Sequence, residues 1–187
     1  MERLRRRDPA DYTAGRAIYL KAHTRRTGYM LDTNAFDRVA DGNIRADALR
    51  GRRLVVTHVQ LDEIRAITNE KRRASLLALF SEIGAEMVPT STGIFGDSHF
   101  GQPEWSAEDG VYEAMLARLQ ELDKAAGKRP RGFNQSRDVR IAETALRRDC
   151  TRVTGDSSLA TVVRERGGRP IRPEDLAAEP RFDKSLS

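Results

Sequence analysis

The chain has 187 residues, 39% hydrophobic and 33% charged, with 33 Lys and Arg against 28 Asp and Glu for a formal net charge of +5. That size predicts one domain with a sizeable core, and that balance excludes a disordered chain. The longest apolar stretches, such as 76–80, fall far short of the roughly 18 residues a membrane-spanning helix needs, so the chain is expected to be soluble, with no membrane partner. The start, Met1-Glu2-Arg3-Leu4-Arg5-Arg6-Arg7-Asp8, has no following apolar core, so no secretory signal is expected. Cys150 is the only cysteine, which excludes an internal disulfide and fits a reducing, cytoplasmic setting.

The positive charge is unevenly placed. Residues 1–26 carry eight bases and three acids, while the remainder is balanced at 25 against 25. Of the 33 bases, 28 are Arg. Guanidinium is the better bidentate partner for phosphate, which makes nucleic acid a plausible partner, although a solvated Arg-rich surface gives the same count.

In chain order, Asp8-Pro9 offers a helix start, and 9–24 reads as a short helix within a basic arm, 1–27. Tyr29-Met30-Leu31 is a buried strand that ends abruptly at Asp32-Thr33-Asn34. A helix near 34–40 stops at Asp41-Gly42, and Leu54-Val55-Val56-Thr57 is the second strand. From Val59 to Gly84, the spacing of Ile64, Ile67, Leu76, Leu77, Phe80 and Ile83 predicts two consecutive helices. Met87-Val88 is a brief third strand closed by Pro89, and 90–105, rich in Gly, Ser and Thr, is loop ending at Trp105.

Ser106 caps a helix running to about Ala126 that turns Val111, Met115, Leu119 and Leu122 inward, with Gly127 as its stop. The basic link 128–132 is an exposed loop, and Ser136 is expected to cap a helix over 137–149. A strand at 151–155 ends at Asp156, followed by a helix over 157–166 and a Gly167-Gly168 stop. Alternating strands and helices predict an α/β fold: a short parallel sheet covered on both faces, three layers deep.

In such sheets, ligands bind beyond the carboxyl ends of the strands. Asp32 and Asp156 each follow a strand, Glu63 lies in the helix after the second strand, and Asp138 sits near the start of its helix above the inward-facing Ile141 and Ala142. Each alone reads as a cap or turn residue. Four carboxylates packed together would repel unless a cation intervened, and hard oxygen ligands suit Mg²⁺ or Mn²⁺. Such an ion would activate water against a phosphodiester.

Four segments carry a likeness to a known family: Met30-Leu31-Asp32-Thr33-Asn34; Thr57 through Ile64 around Glu63; Ser136 through Ala145 around Asp138; and Val153-Thr154-Gly155-Asp156-Ser157-Ser158-Leu159. Over about residues 28–170 the chain resembles PIN-domain ribonucleases of the VapC-like toxin type. The resemblance implies a Mg²⁺- or Mn²⁺-dependent endoribonuclease with Asp32, Glu63, Asp138 and Asp156 as catalytic, metal-binding quartet. Asn34 would orient Asp32, and Thr154 and Ser157 would supply hydroxyls near Asp156 or the RNA. It further implies a small antitoxin partner and a homodimer. On this basis 28–172 is the nuclease domain, with an unusually long segment at 89–135, and 173–187 is a tail. Where the family sometimes adds a further acid, this chain has Ser158.

Arg137 and Arg140 beside Asp138, and Arg129 and Arg131 on the link, are expected to grip the RNA backbone. Phe95, Phe100 and Trp105 could stack on bases or fold the loop back. His23, His58 and His99 lack metal-like spacing, and Cys150 is expected to pack inertly. A haloacid-dehalogenase-like phosphatase would want Asp where Asn34 stands, and a response-regulator receiver would want a late strand-end Lys where Asp156 stands. A non-catalytic RNA-binding module and a DNA-directed or housekeeping nuclease remain as alternatives.

Overall fold

The computed structural model describes residues 28–92, 109–129 and 132–179. The basic arm 1–27, the cap Ser106, the residues Phe95, His99, Phe100 and Trp105, and Arg131 lie outside them.

Five short strands, β1 (Tyr29–Leu31), β2 (Leu54–Val56), β3 (Glu86–Met87), β4 (Thr151–Val153) and β5 (Pro170–Ile171), form one sheet in the order β3-β2-β1-β4-β5. All four pairings are parallel. Six helices accompany them: α1 (Thr33–Ala40), α2 (His58–Arg65), α3 (Glu70–Ile83), α4 (Val111–Ala125), α5 (Phe133–Arg147) and α6 (Ser157–Glu165). This is the α/β architecture with a short parallel sheet that the alternation predicts.

The three layers follow from side-chain alternation along the strands. Tyr29, Leu31, Leu54, Val56 and Val153 pack on one face with Phe36 of α1, Ile64 of α2 and Leu76 of α3. Met30 and Val55, one residue out of phase, pack on the other with Ile141 and Ala145 of α5 and with Cys150. A further cluster joins α4, α5 and α6 through Met115, Leu119, Val139, Ala142, Leu159 and Val162. Phe36 and Phe80 stack at 5.3 Å between ring centroids and bind α1 to α3. Ahead of β1, a side chain at Gly28 would meet Val55 Cγ2 at 2.7 Å and Cys150 Sγ at 3.3 Å, so the chain enters the sheet where only glycine fits.

Local boundaries moved where tertiary partners claimed a side chain. Strand β2 stops at Val56 because Thr57 caps α2: its hydroxyl accepts from the Val59 N–H (3.2 Å), and Gln60 Oε1 accepts from the Thr57 N–H (2.9 Å). The expected cap at Ser136 is corrected. Helix α5 begins at Phe133, behind Gly132, and the Ser136 hydroxyl lies 2.9 Å from that of Tyr112 across the α4–α5 contact. Three short features escaped the pattern. They are β5, a 3₁₀ turn over Ala46–Ala48, and a 3₁₀ turn over Pro173–Ala178 that seats Leu176 in the core.

Among the described residues no helix is long and apolar enough to cross a membrane. Cys150 is buried, and burial pushes its thiol up. His58 is buried as well.

Candidate active site

The sheet order makes β1 and β4 the switch point. From β1 the chain moves outward through β2 and β3, then returns to β4 on the other side. Connections leaving neighbouring strands in opposite directions open a crevice at their carboxyl ends. Asp32 leaves β1 there, Asp156 follows β4, and Glu63 comes from the helix after β2.

Asp32 stands at the N-cap position of α1 but makes no side-chain capping bond. Its carboxylate instead accepts from the Thr154 hydroxyl (2.9 Å) and lies 3.3 Å from the Arg152 guanidinium. The same Thr154 oxygen accepts the Asp156 N–H (3.2 Å), so one buried hydroxyl ties the two strand-end acids together. The Asp32 N–H donates to Val153 O (3.1 Å), which fixes it across the β1–β4 seam. Arg152 is wholly buried, and its Nη1 donates to Leu31 O (3.0 Å), where Gln60 Nε2 also donates (2.8 Å). Asp32 is therefore a buried anion held by a buried cation.

Glu63 is half-buried beside it and accepts a short hydrogen bond from the Thr33 hydroxyl. Burial pushes the Glu63 carboxyl up, and the nearby Asp32 pushes it further. The Thr33 bond, Arg137 and Arg152 oppose that rise without cancelling it. Two carboxylates thus share one poorly solvated corner.

Asp156 has a different environment. Its Oδ1 accepts from the N–H groups of Ser158 (2.8 Å) and Leu159 (3.1 Å), which makes it the N-cap of α6. Lys128 Nζ reaches the same carboxylate at 3.3 and 3.4 Å. Asp138 is half-buried on α5. It falls in the second turn of α5, because the helix starts at Phe133.

The remaining expected residues divide. The Thr154 hydroxyl lies between Asp32 and Asp156, whereas Asn34 and Ser157 are exposed, and Asp32 takes its orientation from Thr154 and Arg152. Arg140 is buried inside the protein and cannot grip a surface backbone. Burial pushes its guanidinium below its usual value, opposed by Glu63 and Asp62. Arg137 stays at the surface, its Cζ 4.4 Å from the ring centroid of Phe133, which is 54% exposed.

Sequence reasoning missed Arg152, Lys128, Asp123 and Phe133. An Arg at the centre of a short strand between two β-branched residues, Thr151-Arg152-Val153, was the one visible signal, since a charge is rarely placed there without a buried partner.

Among the described residues no three His, Cys, Asp or Glu side chains form a group that could hold a metal ion. The donors beside one another are Asp32 and Glu63. One or two carboxylates, completed by water and substrate phosphate, are what Mg²⁺ ordinarily accepts. The pair fits such an ion.

No protein-family model and no curated protein matches the sequence. Solved structures that match the chain include three. A chain of VapBC2 from Rickettsia felis, bound to a DNA fragment from their promoter, is 13% identical with a TM-score of 0.42 over 78% of this chain and 98% of that one. VapBC-5 from Mycobacterium tuberculosis, of the VapBC family of toxin–antitoxin systems, is 22% identical with a TM-score of 0.41 over 79% and 97%. FitAcB from Neisseria gonorrhoeae is 16% identical with a TM-score of 0.36 over 79% and 98%. The chain resembles chains of VapBC toxin–antitoxin structures. At these values the likeness does not extend to residue roles, and the chemistry of the crevice is read from its own residues.

Proposed function

We propose that the protein is a metal-dependent endoribonuclease that hydrolyses RNA phosphodiester bonds at the β1–β4 crevice. The observation that carries this reading is the placement of Asp32 and Glu63: two neighbouring carboxylates, both shielded from water, at the switch point of a parallel sheet. A stable fold gains nothing from such a pair, and a divalent cation removes its cost. Asp32 and Glu63 would hold Mg²⁺ or Mn²⁺, with Asp138 and Asp156 completing the acidic edge. When bound, the ion supplies an activated water and stabilises charge on the phosphate.

The chain's own residues do the rest. Thr154 and Arg152 fix the Asp32 carboxylate in one orientation. Thr33 turns Glu63 toward it. Arg137, in electrostatic reach of Glu63, is placed to meet a phosphate, and the exposed Phe133 ring beneath it offers a stacking surface for a base. The toxin role, with a small antitoxin partner and a homodimeric state, rests on the sequence resemblance.

Purified protein is incubated with single-stranded RNA, tRNA, structured RNA and single-stranded DNA, with Mg²⁺ or Mn²⁺ and with EDTA, beside Glu63→Gln and Asp156→Asn. Asn caps a helix as well as Asp does, so the second variant removes charge and keeps α6. The expected result is cleavage of RNA that needs the ion and is lost in Glu63→Gln. A second reading, a non-catalytic RNA-binding module, is favoured by the lack of a three-ligand metal group among the described residues. RNA binding of equal strength in all proteins, with no cutting by any, would establish it.

A further inference from the structure

Lys128 was expected to be part of an exposed basic loop. It is instead folded back into the crevice by the end of α4. Gly127 takes a left-handed conformation (φ +68°), its N–H donates to Lys124 O (3.0 Å), and the Lys128 N–H donates to Asp123 O (2.9 Å). This is a Schellman ending, which sets the second residue past the cap over the last turn of its helix. Lys128 Nζ then meets Asp123 Oδ1 (2.8 Å), Ser158 Oγ (3.0 Å) and Asp156 (3.3 and 3.4 Å). An ammonium has three N–H groups, and here three residues receive them. Asp123 is itself buried and accepts from Gln135 Nε2 (2.8 Å), so the anchor at the back is built from α4 and α5 together.

We propose that the Lys128 ammonium is the resident cation of the Asp156 side of the crevice and takes the place of a divalent ion there. The inference rests on the nuclease reading for its meaning, and it limits the protein to one metal, at Asp32 and Glu63. The geometry explains why a lysine suffices. Asp156 already accepts two backbone N–H groups, and the ammonium it shares with Asp123 completes its set of donors. Ser158, where a further acid would be needed to hold a second ion, is a third partner of the ammonium. A fixed charge in this position needs no metal to be loaded and faces the same crevice in which a phosphate would lie.

The test counts Mn²⁺ bound per full-length chain at neutral pH for wild type, Lys128→Met, Lys128→Arg and Lys128→Met combined with Asp156→Asn, with circular dichroism to establish folding. Lys128→Met is expected to bind one more Mn²⁺ than wild type, Lys128→Arg the same number, and the double variant to lose the gain. Equal counts for wild type and Lys128→Met overturn the proposal. The wild-type count separately tests the metal reading of Asp32 and Glu63: a count of zero sinks that reading, while the difference between the two proteins still decides the role of Lys128. Should Lys128→Met fail to fold, Mg²⁺ is titrated into wild type and followed by amide resonances. Unmoved Ser158 and Leu159 support the lysine's occupancy, and shifts at those two positions refute it.

Discussion

Asp32 and Asp156 stand at equivalent places, each just past a central strand and at the start of a helix, yet their partners give them different roles. Asp156 caps its helix, and Asp32 does not. A carboxylate that forgoes its cap to pair with a wholly buried arginine is tied to the interior. Asp32→Ala would leave the Arg152 charge buried without it, at a cost of roughly 3–5 kcal/mol. Urea unfolding should show that loss, and Arg152→Met in the same chain should restore part of it. Loss of activity in Asp32→Ala alone would therefore not separate catalysis from folding.

Glu63 does separate them. Its carboxyl is raised in the folded protein, chiefly by burial. A raised carboxyl stabilises the fold while protonated, and that contribution fades as pH climbs from the ordinary glutamate range through the raised value. Once ionised and without divalent ions, the group is a net cost. Glu63→Gln should then be as stable as wild type or more so, with wild type losing ground to it as pH rises above the ordinary glutamate range in EDTA. Higher stability together with lost cleavage would mark a residue kept for function. Equal pH dependence of the two proteins would show that Glu63 is not strained. Asp123 shows the opposite balance. Burial pushes it up, but Lys128, Gln135 and Ser158 outweigh burial and hold it at about 2.

At the scale of elements, the turn at the end of α4 decides where a catalytic-side charge stands. Gly127 adopts a conformation that costs other residues about 1–2 kcal/mol. Gly127→Ala has open space around it, so strain and not collision sets the effect. The variant should lose about that much stability by denaturant unfolding and loosen Lys128 from Asp156. Helix α5 contributes in a similar way. Starting at Phe133, it carries Arg137 and the exposed Phe133 ring on its first turns and buries Arg140 beneath Glu63. Phe133→Ala should lower RNA affinity about 5- to 150-fold, the range of about 1–3 kcal/mol for one stacked base, with little change in stability, as measured by filter binding and thermal melting. The sequence placed this helix but capped it at Ser136 and began it at 137, and that shift of four residues left Phe133 outside it. Polar residues near a helix start compete for capping, and only the hydroxyl of Tyr112 reveals which one is otherwise engaged.

At the scale of the whole molecule, the charge excess belongs to the first 26 residues, and the rest of the chain is neutral. RNA affinity should accordingly depend on the arm. Replacing Arg5, Arg6 and Arg7 with Gln in the full chain should flatten the salt dependence of binding to single-stranded RNA by up to about two in log–log slope, and leave the unfolding curve unchanged. The alternation of strands and helices, hence the three-layer α/β fold, is legible in the chain itself, which places Asp32, Glu63 and Asp156 after its first, second and fourth strands, hence on one edge of the sheet. These follow from local rules: apolar runs, caps and breakers act over a few residues and are written in order along the chain. Only the tertiary structure decided what each acid faces. Arg152 and Thr154 reach Asp32 across some 120 residues, because β4 returns to lie beside β1, and Lys128 reaches Asp156 across 28 because Gly127 reverses the chain. The energy of a charge depends on the groups within a few ångströms of it, and those distances are set by strand order and helix endings, which no local pattern records.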